Sequence, residues 1–377
     1  MAVEWVPCQR FLFDIPEDVA YFNCAYMAPS LKSVRAAGEM GVAAKSNPWM
    51  IKPGDFFTES AQLKSLLAEL IGCAAENLAL VPSVSYGIAT AASNLKIGQD
   101  QHVLVLEEQF PSNIYAWKAR GELRTVPRPS NGHWTPSVIE AMDANTAVVS
   151  VPHCHWTDGS MLDLEEIGKI CQQRDIPLVL DVTQSLGALP LNLDLVKPSF
   201  MVAAAYKWLL GPYSLGFMYV DPKYHNGKPL EENWITRAGS ENFGGLIHYT
   251  DAYAPGAGRF DMGERSNFAL LPMAAAALEQ ILSWGVDAIQ ATLRVMTLDI
   301  AEKAKALGCV VGDPETHAGH LLGIRFGEKM PPNLAESLAE QNIFVSIRGN
   351  SMRISPHLYN HEGDINRLLN VLKWHLK

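Results

Sequence analysis

No run of basic residues occurs in the 377-residue chain, which carries 30 Lys and Arg against 40 Asp and Glu for a formal net charge of −10. A charge of that sign argues against nucleic acid or an anionic membrane as the main partner. Cysteine is scarce: Cys8, Cys24, Cys73, Cys154, Cys171 and Cys309 show neither a CxxC spacing nor a dense framework. Reduced thiols in a cytoplasmic protein are the simplest expectation. The opening residues, MAVEWVPCQR, lack the basic stretch and apolar run of a signal peptide. No internal repeat or low-complexity tract stands out. One apolar stretch, residues 200–220, is long enough to ask whether it spans a membrane. It contains Lys207, Gly211, Pro212 and Gly216, and Gly211-Pro212 reads as a turn between two shorter elements. The remaining composition, 48% hydrophobic and 19% charged, is that of an ordinary soluble globular chain with room for a large core and two domains.

From about residue 59 to 221, apolar strands alternate with helical patterns. Residues 102–106, 147–151, 178–181, 200–204 and 215–220 read as strands, and 62–71, 88–95, 112–121 and 164–174 as helices. That alternation predicts an α/β domain with a mostly parallel sheet. Pro, Gly and aromatic residues fill 222–260, a long irregular segment that could cover a site or meet another subunit. Helical patterns follow at 268–284 and 286–307. The last 70 residues read as a small α/β unit, with strands at 320–326 and 352–355 and helices at 334–341 and 364–376.

Lys207 is the only charged residue in the apolar stretch 200–220. An ammonium is costly to bury alone. Desolvation lowers its pKa and leaves a nucleophilic amine able to form a Schiff base. The plain alternative is a lysine whose stem packs while its head reaches water. The case for chemistry comes from Asp181, which ends the apolar run of IPLVLD, 26 residues before the lysine. Strand carboxyl ends are where open α/β sheets form ligand crevices. A buried amine and a strand-end carboxylate at this separation suit pyridoxal phosphate. The lysine holds the aldehyde as an imine, and the carboxylate keeps the pyridine nitrogen protonated.

Other motifs fit around this pair. LALVPSVSYGIATAASNL reads as a strand, a turn and a helix, with Ser83, Val84, Ser85 and Tyr86 at the helix start, where free amides favour a phosphate. Ser83 or Ser85 could equally be a plain N-cap. Phe110, in EEQFPSNIYAW, follows a strand and could stack on a pyridine ring or simply pack in the core. Asn113 could bond a cofactor or substrate, or start a helix. VPHCHWTDG raises the question of a metal, but no CxxC or HExxH lies elsewhere to complete a site. His155 or Trp156 facing the cofactor is the reading taken, with His153 and Cys154 packed as the plain alternative. In SIRGNSMRISPHLYN, Arg353 alternates with Met352 and Ile354 in a strand, and its guanidinium suits a substrate carboxylate. A solvated or structural ion pair is the alternative, and it is the reading taken for Arg348.

The ordered motifs SVSYG, FPSNIY, DVTQS and AAYKW resemble the class V aminotransferase family of pyridoxal-phosphate enzymes (fold type I). The resemblance runs from YFNCAYMAPS to RISPHLYN. It implies a large cofactor-binding domain with a mostly parallel sheet between helices, over 20–262, and a smaller α/β domain from 1–19 and 263–377. It implies that Lys207 forms the Schiff base and that Asp181 pairs with the pyridine nitrogen. Gln184 would bond the ring hydroxyl and Phe110 would stack on the ring. Ser85 and Tyr86, with the neighbouring amide of Val84, would hold the phosphate, with Tyr206 reaching it as in kynureninases. Arg353 would bind the substrate carboxylate, with Trp156 and Asn113 near the substrate. It also implies a homodimer with sites at the interface and an amino-acid substrate. GRFDMGERSNF resembles the segment that reaches the neighbouring site, and no role is carried onto Glu264 or Arg265.

Departures from the family narrow the chemistry. Residues 344–353 contain no cysteine where cysteine desulfurases carry a nucleophile. Asn113 and Gln184 stand where kynureninases tend to carry an acid and a histidine. An aminotransferase is therefore the leading expectation. A lyase of the kynureninase or C–S type and an epimerase similar to isopenicillin N epimerase are the alternatives. A non-catalytic cofactor-binding protein would not need the full set Lys207, Asp181, Gln184 and Arg353.

Overall fold

The computed structural model describes residues 5–327 and 330–376. Residues 1–4, which open the segment read above for a leader peptide, lie outside the described residues. Seven strands form the central sheet: β1 (Leu78–Val81), β2 (His102–Leu106), β3 (Glu122–Val126), β4 (Thr146–Pro152), β5 (Leu178–Asp181), β6 (Phe200–Ala204) and β7 (Gly216–Val220). Across the sheet they run β1-β7-β6-β5-β4-β2-β3. β7 is antiparallel to β1 and β6, and the other neighbours are parallel.

Six of these strands are almost wholly buried, because helices cover both faces of a parallel sheet. Successive residues alternate between two cores. Leu80, Leu104, Leu180 and Met201 join one cluster, and Ala79, Val105, Val179 and Val202 the other. β3 was invisible to hydropathy because it is the edge strand. Its Glu122, Arg124 and Thr125 are exposed, and charge on an edge discourages pairing with another chain.

Residues 200–220 are β6 and β7 joined by the segment that carries Lys207 and the Gly211-Pro212 turn. Among the described residues, no helix is long and apolar enough to cross a membrane. The helix expected over 112–121 is broken into a 3-10 turn, Pro111–Asn113, and a single turn, Tyr115–Lys118, separated by Ile114 at φ −124°. The C-terminal unit is an antiparallel sheet ordered Ser346–Arg348, Ser351–Ile354, Leu322–Arg325 and Val310–Val311. Ile324, Met352 and Ile354 pack there against Ile300 and Leu368 of the helices Val286–Ala306 and Glu362–His375. The segment 222–260 holds short 3-10 turns at Pro222–Tyr224, Phe243–Gly245 and Gly256–Phe260, and it exposes Ile247 and Tyr249.

A buried charge cluster ties the last of these turns to the sheet. The Asp261 carboxylate is fully buried; it pairs with Lys64 at 2.8 Å and with Arg265, and it accepts the backbone N–H of Leu80 at 2.7 Å. Arg265 thus has a structural partner in its own chain. Asp261→Ala leaves two largely buried cations without this counter-charge, and the expected loss is roughly 3–5 kcal/mol of folding stability. Urea unfolding reads this directly; a loss below about 1 kcal/mol would show that the cluster is solvated.

Candidate active site

The carboxyl ends of β2, β4, β5 and β6 converge, and a cavity of about 360 Å³ opens there. Three residues beyond β6, Lys207 enters it from the buried side. Its Nζ lies 5.4 Å from the ring centre of Phe110 and 5.5 Å from that of Tyr206. Among the described residues Lys207 forms no salt bridge. Burial pulls its pKa down to about 8; Asp181 opposes the shift and Arg353 adds to it.

Asp181 ends β5 and is buried. Burial raises its pKa, while bonds from Thr183 and the nearby Lys207 act the other way. The Thr183 N–H donates to Asp181 Oδ1 at 3.1 Å, and the Thr183 hydroxyl accepts the N–H of Ala204 at 3.2 Å. Thr183 therefore laces the ends of β5 and β6 together beneath the cavity. Sequence reading passed over it, although a threonine two residues past a strand-end aspartate is a recognisable local signal. The Gln184 amide is held at both ends, donating to Ala25 O and accepting from Trp208 Nε1, each at 3.1 Å. One N–H of that amide is left for the cavity.

On the opposite wall, helix Val84–Asn94 points its N-terminus at the cavity, where Val84 and Ser85 line it. Ser83 is the N-cap, accepting the Tyr86 N–H at 3.2 Å. Ser85 Oγ donates to Ser112 Oγ at 2.9 Å, so two hydroxyls stand together there. Tyr86 departs from the expectation: its amide is spent on Ser83 and its ring packs against the core, away from the cavity lining. Gly87 lets this helix lie on β6, since a Cβ there would come within 2.7 Å of Val202.

Phe110 and Trp156 meet edge to face, with ring centres 5.4 Å apart at 79°, and both line the cavity together with Tyr206, Asn113 and Cys154. Asn113 is fully buried; its Oδ1 accepts from Trp117 Nε1 at 3.2 Å and Ser150 Oγ at 2.7 Å, while its Nδ2 has no partner among the described residues. His155 does not face the cavity. Its ring stacks on Trp134 and bonds Thr157, Arg128 and the carbonyl of Glu107. Burial holds its pKa down to about 4. Among the described residues, no group of three His, Cys, Asp or Glu side chains could hold a metal ion.

Arg353 is buried in strand Ser351–Ile354. Its Nη1 donates to the carbonyl of Trp156 at 2.8 Å, and among the described residues its Nε has no partner and it forms no salt bridge. Burial, helped by Arg348, lowers its pKa to about 10. Arg348 is not in an ion pair among those residues either; it lies over the Trp156 ring at 5.5 Å and donates to Ile347 O at 2.7 Å.

This is the fold type I architecture of pyridoxal-phosphate enzymes. Residues 53–368 match the family described as class V aminotransferases, and the chain belongs to that family. It is 27% identical over 312 residues to an uncharacterized aminotransferase, YcbU, of Bacillus subtilis (strain 168), covering 81% of this chain and 80% of that one. It is 25% identical over 369 residues to a kynureninase of Shouchella clausii (strain KSM-K16), covering 92% and 83%. The fold superimposes on a mutant of C-DES with glycine covalently linked to the PLP cofactor, with a TM-score of 0.86 at 18% identity over 97% of this chain and 99% of that one. The cofactor is pyridoxal 5'-phosphate. The residues fit it: a buried amine with no salt bridge among the described residues, a buried carboxylate lining the same cavity, an aromatic wall, and a helix N-terminus with two adjacent hydroxyls.

Proposed function

We propose that the protein is an aminotransferase acting on an amino acid, with Lys207 as both cofactor anchor and proton-transfer base. The observation that carries this reading is Lys207 itself, an amine buried without a salt-bridge partner among the described residues and set above Phe110. When bound, pyridoxal phosphate supplies an electron sink for the charge left at the substrate α-carbon. Asp181 would hold a proton on the pyridine nitrogen, and Phe110 would bear on the ring. The free N–H of Gln184 would meet the ring oxygen. The Val84 and Ser85 amides, the Ser85 hydroxyl and Tyr206 would hold the phosphate. Arg353 would fix the substrate carboxylate, so that the α-hydrogen faces Lys207 Nζ, and the lysine would take that proton and return it elsewhere. Trp156 and Asn113 bound the space left for the side chain.

The test is a transfer assay. The holoprotein is incubated with the twenty common amino acids in turn and with 2-oxoglutarate or pyruvate as acceptor, and new amino acid is measured. Side-chain fragments released with no amine transferred would replace this reading with a lyase. That second reading draws on the kynureninases that align over most of the chain. The carboxylate site is tested separately. Arg353→Met removes a charge-assisted contact, and kcat/KM should fall by roughly 10²-fold or more, mostly through KM. Kinetics within threefold of the parent would remove Arg353 from the site.

A further inference from the structure

Arg128 stands two residues past β3, outside the cavity, yet it grips the turn that leads into Gln109 and Phe110 and the loop that carries Trp156, all three of which line the cavity. Its Nη1 donates to Asp158 at 2.7 Å. Its Nη2 reaches Thr157 Oγ1 and His155 Nδ1, each at 3.0 Å, and Glu108 at 3.3 Å. Its own backbone N–H donates to Glu107 at 2.7 Å. The guanidinium also lies over the Trp134 ring at 5.4 Å. A planar fork of fixed donors can hold two chain segments at once, which a lysine cannot.

The segments so held are the turn 107–108 and the loop 155–158, and between them they set Trp156. The indole Nε1 donates to Glu108 O at 2.7 Å, where Glu108 is held at φ 54°, in the left-handed region. The Trp156 carbonyl accepts Nη1 of Arg353 at 2.8 Å, and its ring meets Phe110. If Arg128 served only to pair with Asp158, one contact would suffice; its other contacts fall on the two residues flanking Trp156 and on the residue that bonds the indole. His155 can accept from the guanidinium because burial keeps its ring neutral, with a pKa of about 4.

We propose that Arg128 is the positioning residue of the substrate-carboxylate subsite, clasping loop 155–158 to turn 107–108 so that Trp156 aims Arg353 and closes the cavity beside Phe110. It touches neither substrate nor cofactor. The inference rests on the reading of Arg353 given above.

The test uses the holoprotein and two probes of the same nucleophile. Aminooxyacetate carries a carboxylate and methoxyamine does not. Their rates are followed by the change in the cofactor's visible absorbance. The parent should prefer aminooxyacetate. Arg128→Met should lose about tenfold of that preference, since sub-ångström placement of a binding group is at stake, and Arg128→Lys should recover little of it. Methoxyamine rates and the Kd of the apoprotein for pyridoxal phosphate by fluorescence titration should change little. A preference kept in Arg128→Met would overturn the proposal. So would equal losses in both probes and in cofactor affinity, which mark a merely structural residue. Should Arg128→Met fail to fold, Thr157→Val removes the hydroxyl that bonds both Arg128 and His155 and should cost about threefold in preference; no change would overturn the proposal. A parent with no preference would show instead that Arg353 does not read the carboxylate, and the proposal would fall with that reading. A parent with no visible band would mark the failure of the cofactor anchor itself.

Discussion

Lys207→Ala abolishes turnover, by roughly 10⁴-fold or more, and leaves cofactor bound, if at all, without a covalent link. The expectation follows from where the amine sits. It is buried, it has Phe110 and Tyr206 rings within 5.5 Å, and the charge that most favours its protonated form is Asp181. Removing it costs the anchor and the base together, so no neighbouring group substitutes. Cys24 and Cys154 are buried beside the site, and burial holds both thiols in the protonated form. The loss should not come from unfolding, because deleting a partially desolvated cation relieves a burial penalty. The same burial sets a pH dependence. Only the neutral amine attacks an aldehyde, and the Lys207 pKa is lowered from 10.5 to about 8. The rate at which apoprotein captures pyridoxal phosphate should therefore rise with pH, pass half its maximum near 8 and level off above. A half-point at 10 or higher would mean that the lysine is solvated.

Asp181→Asn should lower kcat by roughly 10²–10³-fold while cofactor still binds. An amide of the same shape keeps the packing and can keep the bond from the Thr183 N–H at 3.1 Å. It loses the negative charge that would hold a proton on the ring nitrogen. The two variants separate the roles: Lys207→Ala removes the covalent link, whereas Asp181→Asn should keep it and slow the step at the α-carbon. Stopped-flow absorbance on the Asn variant checks this. Unchanged kcat would mean that the carboxylate does no more than tie β5 to the Thr183 loop.

The parts of this site that were legible in the sequence are those with local signatures. Lys207 showed as a lone charge in an apolar run, and Asp181 as the end of a buried strand. Arg353 showed as a polar residue alternating with Met352 and Ile354. Apolar strands in a parallel sheet are conspicuous, so β2, β4, β5 and β6 were readable, whereas β3, polar on its exposed edge, was not. What stayed hidden is tertiary. The bond from Arg353 to the Trp156 carbonyl spans 197 residues, and that from Leu80 to Asp261 spans 181. Nothing in the local pattern around Arg128 distinguishes it from a solvated loop arginine. Tyr86 looked like a helix-start residue and is one, but the N-cap Ser83 claims its amide and its ring turns to the core. Position along a helix start is written in sequence; direction of the side chain is settled by what packs against it.

The most direct test of the central claim is the visible absorption spectrum of the purified protein and of Lys207→Ala, before and after addition of single amino acids. A cofactor band in the parent that is lost or displaced in the variant, and that converts to the amine form of the cofactor with one amino acid, is the predicted result. A parent protein that shows no band after soaking with pyridoxal phosphate, or a band unaltered by Lys207→Ala, would contradict it.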